Sequence, residues 1–275
     1  MTDVPNSSQS HRHIEGYIHC GIYSVIAVLS IHHCNSPVAL ITVVAPCILG
    51  WSIYGLLTIG HDAYHGSFSP YPIVNKLVGF LCMDMVMMAG YRWKREHNTH
   101  HHRFLYSDSD TMRLIGPTVV QQWLRLVRTN CKGVSFTFAD FVIRVPFLYV
   151  LWYHLCILQI LLLYMSMMIC QAYLAYITHM SPVMGSCSVQ GTVPHTLDHT
   201  WDIFPDSKIA SFFSGGMNSH ASHHCFPSYT RTELRLRGPL LLRTTFPTQY
   251  RVIRSWFDYV KLGLGYRVEC NATPS

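Results

Sequence analysis

Residues 147–180 form a block of 34 residues without a glycine, a proline or a charged side chain. As one helix it would be about 51 Å long, against a hydrocarbon core of about 30 Å. That is too long for one untilted crossing and short for two. A chain holding such a block cannot be an ordinary water-soluble domain, and the block has to be placed in a membrane. Two further apolar runs precede it: 16–31, a marginal crossing, and 38–60, a comfortable one. They are separated by the polar break His32, His33, Cys34, Asn35, Ser36 and Pro37. A fourth apolar stretch, 73–90, is interrupted by Asn75, Lys76 and Asp84, and it is expected at the interface or as a re-entrant piece.

Charge decides how many times the long block crosses. Of the 20 Lys and Arg residues, nine lie within 91–145 and nine within 208–267. The positive-inside tendency puts both segments on the cytoplasmic side, which requires an even number of crossings between them. The block is therefore expected to be a tight helical hairpin, broken within 159–168. With spans near 16–31, 38–60, 146–163 and 165–180, the expected fold is all-α: a membrane four-helix bundle of two hairpins. Both termini would be cytoplasmic, and residues 61–145 and 181–275 would form a helical cytosolic cap. Amphipathic stretches such as 119–128 would lie on the membrane surface. The polar opening does not read as a cleavable signal peptide. The Asn6 and Asn271 sequons would then be inert.

Composition agrees. Only 12% of residues are charged and the mean hydropathy is +0.20, whereas soluble domains carry about 25% charged residues. The ten cysteines include no Cys-x-x-Cys pair, which argues against a zinc ribbon or iron–sulfur cluster. Cys20, Cys47, Cys82, Cys156 and Cys170 are expected to be buried free thiols.

Histidine is the second anomaly: 18 residues, more than Asp and Glu together at 14. They concentrate in HDAYH (His61, His65), HNTHHH (His97, His100, His101, His102) and HASHH (His220, His223, His224). On an α-helix His61 and His65 stand one turn apart on one face. At 100° per residue His97, His100 and His101 share an arc about 100° wide, with His102 pointing elsewhere. His220, His223 and His224 repeat the same offsets. Eight convergent imidazoles exceed the needs of one tetrahedral zinc and suit two metal ions with open positions. All three clusters fall at or beyond span ends on the expected cytoplasmic side. His19 and His154, alone on apolar faces, read as core histidines; His11, His13, His32 and His33 read as solvated.

The runs GHDAYHGSF, WKREHNTHH and GGMNSHASHHCFP resemble the three histidine boxes of the membrane fatty acid desaturase family. The flanks agree: residues 75–80 after the first box, Trp93 before the second, and Asp108 and Asp110 after it. The likeness runs from about Ile59 to Pro227, and the third box is most similar to the acyl-lipid and front-end branches. No His-Pro-Gly-Gly haem motif occurs, so no fused cytochrome b5 domain is expected and 1–275 reads as a single desaturase-like membrane domain.

The resemblance implies a non-haem di-iron centre that activates O₂ and desaturates a fatty acyl chain, carried as acyl-lipid or acyl-CoA. Box positions put the iron ligands at His61, His65, His97, His100, His101, His220, His223 and His224. A ninth ligand would come from His179 at the end of the fourth span, in preference to His195 or His199. Asp62, Asp84, Asp108, Asp110, Asp198 and Asn218 are candidates for orienting the imidazoles. Met83, Met85, Met87, Met88 and the 147–180 block would line the substrate path. Arg92, Lys94, Arg95 and Arg103 would meet an anionic donor protein or a lipid headgroup. Electrons would come from an external cytochrome b5 or ferredoxin. The membrane would be the endoplasmic reticulum in a eukaryote, or the plasma or an internal membrane in a bacterium. A homo-oligomer is compatible with this reading, and nucleic acid is not an expected partner. A lipid hydroxylase or ketolase acting on sphingolipids, sterols or carotenoids would carry the same boxes. A histidine-rich metal transporter would instead place its ligands near the bilayer midplane.

Overall fold

The computed structural model describes residues 9–86, 90–105, 110, 138–179 and 191–263. Asp108, Met87, Met88 and the stretch 119–128 lie outside them, as do the side chains of Arg92 and His179. Four long helices carry the apolar runs: α1 (Ile14–His33), α2 (Ala39–His65), α5 (Phe138–His154) and α6 (Ile157–His179). Between the pairs lie α3 (Pro72–Gly79), which runs on into a π turn at Phe80–Asp84, and α4 (Gly90–Glu96), which runs into a second π turn at His97–His101. Six short helices follow: α7 (Val193–His199), α8 (Lys208–Phe213), α9 (His220–Cys225), α10 (Arg231–Leu236), α11 (Gly238–Thr245) and α12 (Trp256–Gly263). The described residues are mostly helical, as expected. The exception is a two-residue parallel pair, β1 (Asp202–Ile203) with β2 (Val252–Ile253), in which the backbone before the third box takes its hydrogen-bond partners from the C-terminal segment.

α2 is the central helix, packed along α1 on one side and α6 on the other. Its approach to α6 depends on Gly50, where a Cβ would stand 2.3 Å from the Leu163 carbonyl oxygen. A small residue here brings two backbones together, which is how helices associate when no water drives them. Leu49, Ile53, Leu57, Met83, Leu151 and Leu163 fill the resulting core.

The hairpin break in the long apolar block falls at Leu155–Cys156, earlier than the expected 159–168. Two side chains put it there. Buried Gln159 accepts from the Cys156 N–H (3.0 Å) and donates to the carbonyl oxygens of Cys34 (2.7 Å) and Thr42 (3.4 Å). Asn35 Nδ2 donates to the His154 carbonyl oxygen at 3.2 Å. The unmatched backbone groups at a helix break thus find partners in the α1–α2 turn, without a glycine or proline. The two hairpin turns meet at one end of the bundle, and the first histidine pair ends α2 at the other.

Among the described residues, α1 and α2 are the two helices long and apolar enough to cross a membrane; the apolar parts of α5 and α6, Phe141–His154 and Ile157–Cys170, are shorter. Large apolar side chains point outward from all four, among them Val28, Leu40, Trp152 and Ile157. The seven described cysteines are free, but of the five expected to be buried only Cys82 is; Cys20, Cys47 and Cys170 are half-buried and Cys156 at the break is exposed.

Replacing Gln159 by leucine should leave two carbonyl oxygens and an N–H unmatched at the joint of the two hairpins. Each buried orphan costs about 1–3 kcal/mol. Thermal unfolding of the detergent-solubilised protein should shift down by several degrees; an unchanged midpoint would show that the turns do not depend on this side chain.

Candidate metal centre

The first histidine pair sits in the last turn of α2, which stops at Gly66 in the left-handed conformation (φ +77°) with its N–H on the carbonyls of Ala63 and Asp62. A glycine adopts this end at no steric cost, so the helix stops directly after His65. The third box is brought against the same helix by a pair of left-handed glycines. A Cβ on Gly215 (φ +64°) would stand 2.4 Å from Thr58 Oγ1, one turn before His61. Upstream, the carbonyls of Phe212, Phe213 and Ser214 accept from Tyr23 Oη, Trp51 Nε1 and Tyr54 Oη, so the bundle's own aromatic donors hold the incoming strand of backbone.

From the other side, α9 is held by Asp202. This fully buried carboxylate accepts from the Ser222 N–H at 3.1 Å, from the Ser222 hydroxyl, and from Tyr250 Oη at 2.6 Å. Burial outweighs these three donors and raises its pKa to about 6.

The second box departs from the α-helical register. Across residues 97–101 the backbone forms a π turn, with more than four residues per turn and therefore about 80–90° per residue. In an α-helix His100 and His101 would flank His97 while His102 turned away. In the wider turn His101 comes almost back over His97, His102 swings in behind it, and His100 rotates out. His102 Nε2 lies 3.1 Å from His97 Nε2, and its ring stacks on His224 with centroids 4.3 Å apart. His100 instead neighbours Phe104. The HNTHHH run thus turns His97, His101 and His102 inward, not His97, His100 and His101 as α-helical spacing predicts.

The imidazoles form two groups, each with its candidate ligand atoms within 4.8 Å of one another: His61, His65, His97 and His223; and His101, His220 and His224. Seven of the eight expected ligands are therefore brought together, His100 lies outside both groups, and His102 stands between them. Its ring is 4.8 Å from His65 and 5.0 Å from His223. His61 Nε2 and His97 Nε2 are 3.1 Å apart, as are His220 Nε2 and His224 Nε2 at 3.0 Å. The Nε2 atoms of His65 and His223 are buried without a hydrogen-bond partner.

Two carboxylates fix ring protons. His61 Nδ1 is 3.1 Å from Asp62 Oδ1, and His101 Nδ1 is 3.0 Å from Asp110 Oδ1, the latter pair wholly buried. A carboxylate only accepts, so each ring carries its proton on Nδ1 and turns a lone pair on Nε2 toward its group. Burial, followed by the surrounding imidazoles, pushes His97, His223 and His224 well below the ordinary histidine range. They are neutral, as a metal ligand must be. Trp93 stacks on His97, centroids 4.1 Å apart and 18° between planes. Convergent neutral imidazoles with unmatched buried Nε2 atoms are the donor set of a transition-metal site.

Other candidates have structural employment. Asp84 accepts from Tyr64 Oη and the Gly90 N–H. Asn218 exchanges hydrogen bonds with Ser214 and donates to the carbonyls of Ile203 and Phe204. His195 is buried with Nε2 on the Leu105 carbonyl at 2.8 Å and His199 beside it; neither belongs to the two groups. Asp198 lies half-buried on α7, Met85 is half-buried, and His19 is a core histidine against Phe212 and Arg231.

A family model described as fatty acid desaturase matches residues 37–130, which hold the first two boxes. The acyl-lipid omega-3 desaturase (cytochrome b5), endoplasmic reticulum, of Arabidopsis thaliana is 34% identical over 62 residues, 22% of this chain and 15% of that protein. The temperature-sensitive sn-2 acyl-lipid omega-3 desaturase (ferredoxin), chloroplastic, of the same plant is 28% identical over 98 residues, 36% of this chain and 20% of that protein. The Delta(12) acyl-lipid conjugase (11E,13E-forming) of Momordica charantia is 30% identical over 91 residues, 30% of this chain and 23% of that protein. The chain spans less than a quarter of the length of each of these relatives.

Asp202 carries a pH signature. Its folded pKa of about 6 lies above the unfolded value of 3.8, so the folded chain binds this proton more tightly. The stability it contributes is complete below about pH 4 and is lost as pH rises through 6. The advantage of wild type over Asp202→Asn in thermal unfolding should therefore be largest near pH 4 and shrink up to about pH 7. A gap that stays constant across this window would place the titration elsewhere.

Proposed function

We propose that the chain, similar over its first two histidine boxes to fatty acid desaturases, is an O₂-dependent desaturase of that family that introduces a double bond into a fatty acyl chain. The observation that carries this reading is the meeting of three histidine boxes in two buried groups of imidazoles. His61, His65, His97 and His223 would hold one iron ion, and His101, His220 and His224 the other, with His102 available to either. The same assignment keeps His100 as the expected ligand that a different register would have to supply, and His179 as the candidate for a ninth. Two iron ions held there would supply the O₂ chemistry needed to remove hydrogen from an unactivated C–H bond.

What the chain's own residues do follows from their placement. Asp62 and Asp110 hold the Nδ1 protons of His61 and His101, which keeps those rings in the ligating tautomer and raises their basicity. Trp93 and the backbone around it exclude water from His97. An acyl chain arriving from the bilayer would meet the apolar core of α2, α5 and α6, which runs from Leu49 and Leu163 to Met83, Tyr64 and Trp93 beside the imidazoles. Such a surface fixes which carbon pair lies next to the metals by length alone.

The outward apolar faces of α1, α2, α5 and α6 are too extensive for water. They support a multi-pass membrane protein with four crossings in two hairpins, with the boxes and both termini on the cytoplasmic side. Lys94, Arg95 and Arg103, exposed beside the second box, would receive an acidic electron-donor protein, cytochrome b5 or ferredoxin. The donors named for the two Arabidopsis relatives support an external donor of this kind.

The test is expression in a yeast lacking its own desaturase, with fatty-acid methyl esters profiled by mass spectrometry. Wild type should yield a new unsaturated species, and its double-bond position gives the regiochemistry. His102→Ala should abolish it, whereas His100→Ala should retain a substantial fraction. A new hydroxyl or keto lipid in place of a double bond would assign the chain to the oxygen-inserting branch. Loss with His100→Ala but not His102→Ala would reverse the register assignment.

A further inference from the structure

Arg231 is a buried cation beside the first histidine pair, and nothing in the three boxes accounts for it. It opens α10, which Thr230 and Glu233 cap reciprocally, and its side chain runs back into the protein instead of out to solvent. The guanidinium donates through Nε to Asp62 Oδ2 at 2.6 Å and through Nη2 to Thr58 Oγ1 at 3.0 Å. Its Nη1 stands 3.2 Å from His19 Nδ1. Space for it is kept by Gly216, where a Cβ would come within 3.3 Å of Arg231 Cζ and Nε. Four segments distant in sequence therefore meet on one planar group: α1, α2, the glycine turn before the third box, and α10.

The consequence lies one bond further on. Asp62 has two oxygens; Arg231 takes Oδ2, and Oδ1 is left 3.1 Å from His61 Nδ1. A neighbouring carboxylate is not bound to meet the ring beside it, because successive helical side chains diverge by about 100°. The planar guanidinium, itself held through Nη2 by Thr58 and set beside His19 through Nη1, uses several donors at once and so anchors Oδ2 from a fixed direction, as a single-point ammonium cannot. We propose that Arg231 is a positioning residue for the first histidine group: it holds Asp62 so that His61 keeps its proton on Nδ1 and presents Nε2 to a metal ion. The second group has its own orienting carboxylate in Asp110, on His101, and does not depend on Arg231. This inference rests on the two-metal reading given above.

Independence of the two groups makes the test selective. The full-length protein, purified in detergent and stripped of metal, is titrated with cobalt(II) against a competing chelator. Bound metal is counted by mass spectrometry, and thermal unfolding of the metal-free protein serves as the fold control. Wild type should bind two ions per chain. Arg231→Met should weaken one site by about 10–100-fold, the range for losing an orienting partner of a ligand, and leave the other unchanged. Arg231→Lys, which keeps the charge and is the variant to rely on if the methionine variant fails to fold, should weaken the same single site by a smaller factor. Asp62→Asn should weaken that site too. Both sites weakened alike, or neither, in folded variants would overturn the proposal and leave Arg231 a structural cation. A wild-type protein that binds fewer than two ions would instead overturn the two-metal reading on which it rests.

Discussion

Eight imidazoles lie here with neighbouring rings about 4 to 6 Å apart, a spacing they cannot keep as eight cations. Two like charges at that spacing in a medium of low polarity repel by several kcal/mol, and each also loses its hydration. Burial and mutual repulsion therefore act together to hold His65, His97, His223 and His224 neutral. A neutral imidazole keeps one N–H and one lone pair, so Nε2 atoms about 3 Å apart can share a hydrogen bond until a metal ion takes the lone pairs. This requirement explains the scarcity of acid around the groups: Asp62 and Asp110 touch one ring each, on the Nδ1 side, and neither reaches into the space between the Nε2 atoms.

The scaffold is organised to bring that assembly together from distant pieces of chain. α2 supplies the first pair and stops at a left-handed glycine directly after it. A second glycine pair lets the backbone before the third box lie on α2 at Thr58, where a side chain could not fit. Asp202, Ser222 and Tyr250 lock the third box to the C-terminal segment, while Arg231 ties that segment back to α2 and α1. Loss of conformational freedom in so many segments is offset by burying them jointly, and apart from Asp62 on His61 the orienting bonds run between elements instead of within one.

Much of the site was legible in the sequence. The clustering of histidines at the ends of apolar runs marked the three boxes, seven of the eight expected ligands fall in the two groups, and Asp62 and Asp110 stand on imidazoles as their positions suggested. His102 was missed because three consecutive histidines admit two registers. The choice between an α and a π turn is made by what packs on either side of 97–101, and helical spacing alone cannot supply it. Arg231 carried no local signal either: one of nine Lys and Arg residues in 208–267 looks like topogenic charge until its buried partners are seen.

The sequence by itself determined the four apolar helices, the box residues and the resemblance to fatty acid desaturases, because each is written in local composition and short-range spacing. Tertiary structure alone decided where the 147–180 block breaks, which histidines of the second box face inward, how the imidazoles divide into two groups, and which cation orients the first of them. The reason is the same in each case. These features turn on which backbone groups and lone pairs find partners far away along the chain: Gln159 with Cys34, His102 with His224, Arg231 with Asp62. A pattern read one turn at a time contains no term for such contacts.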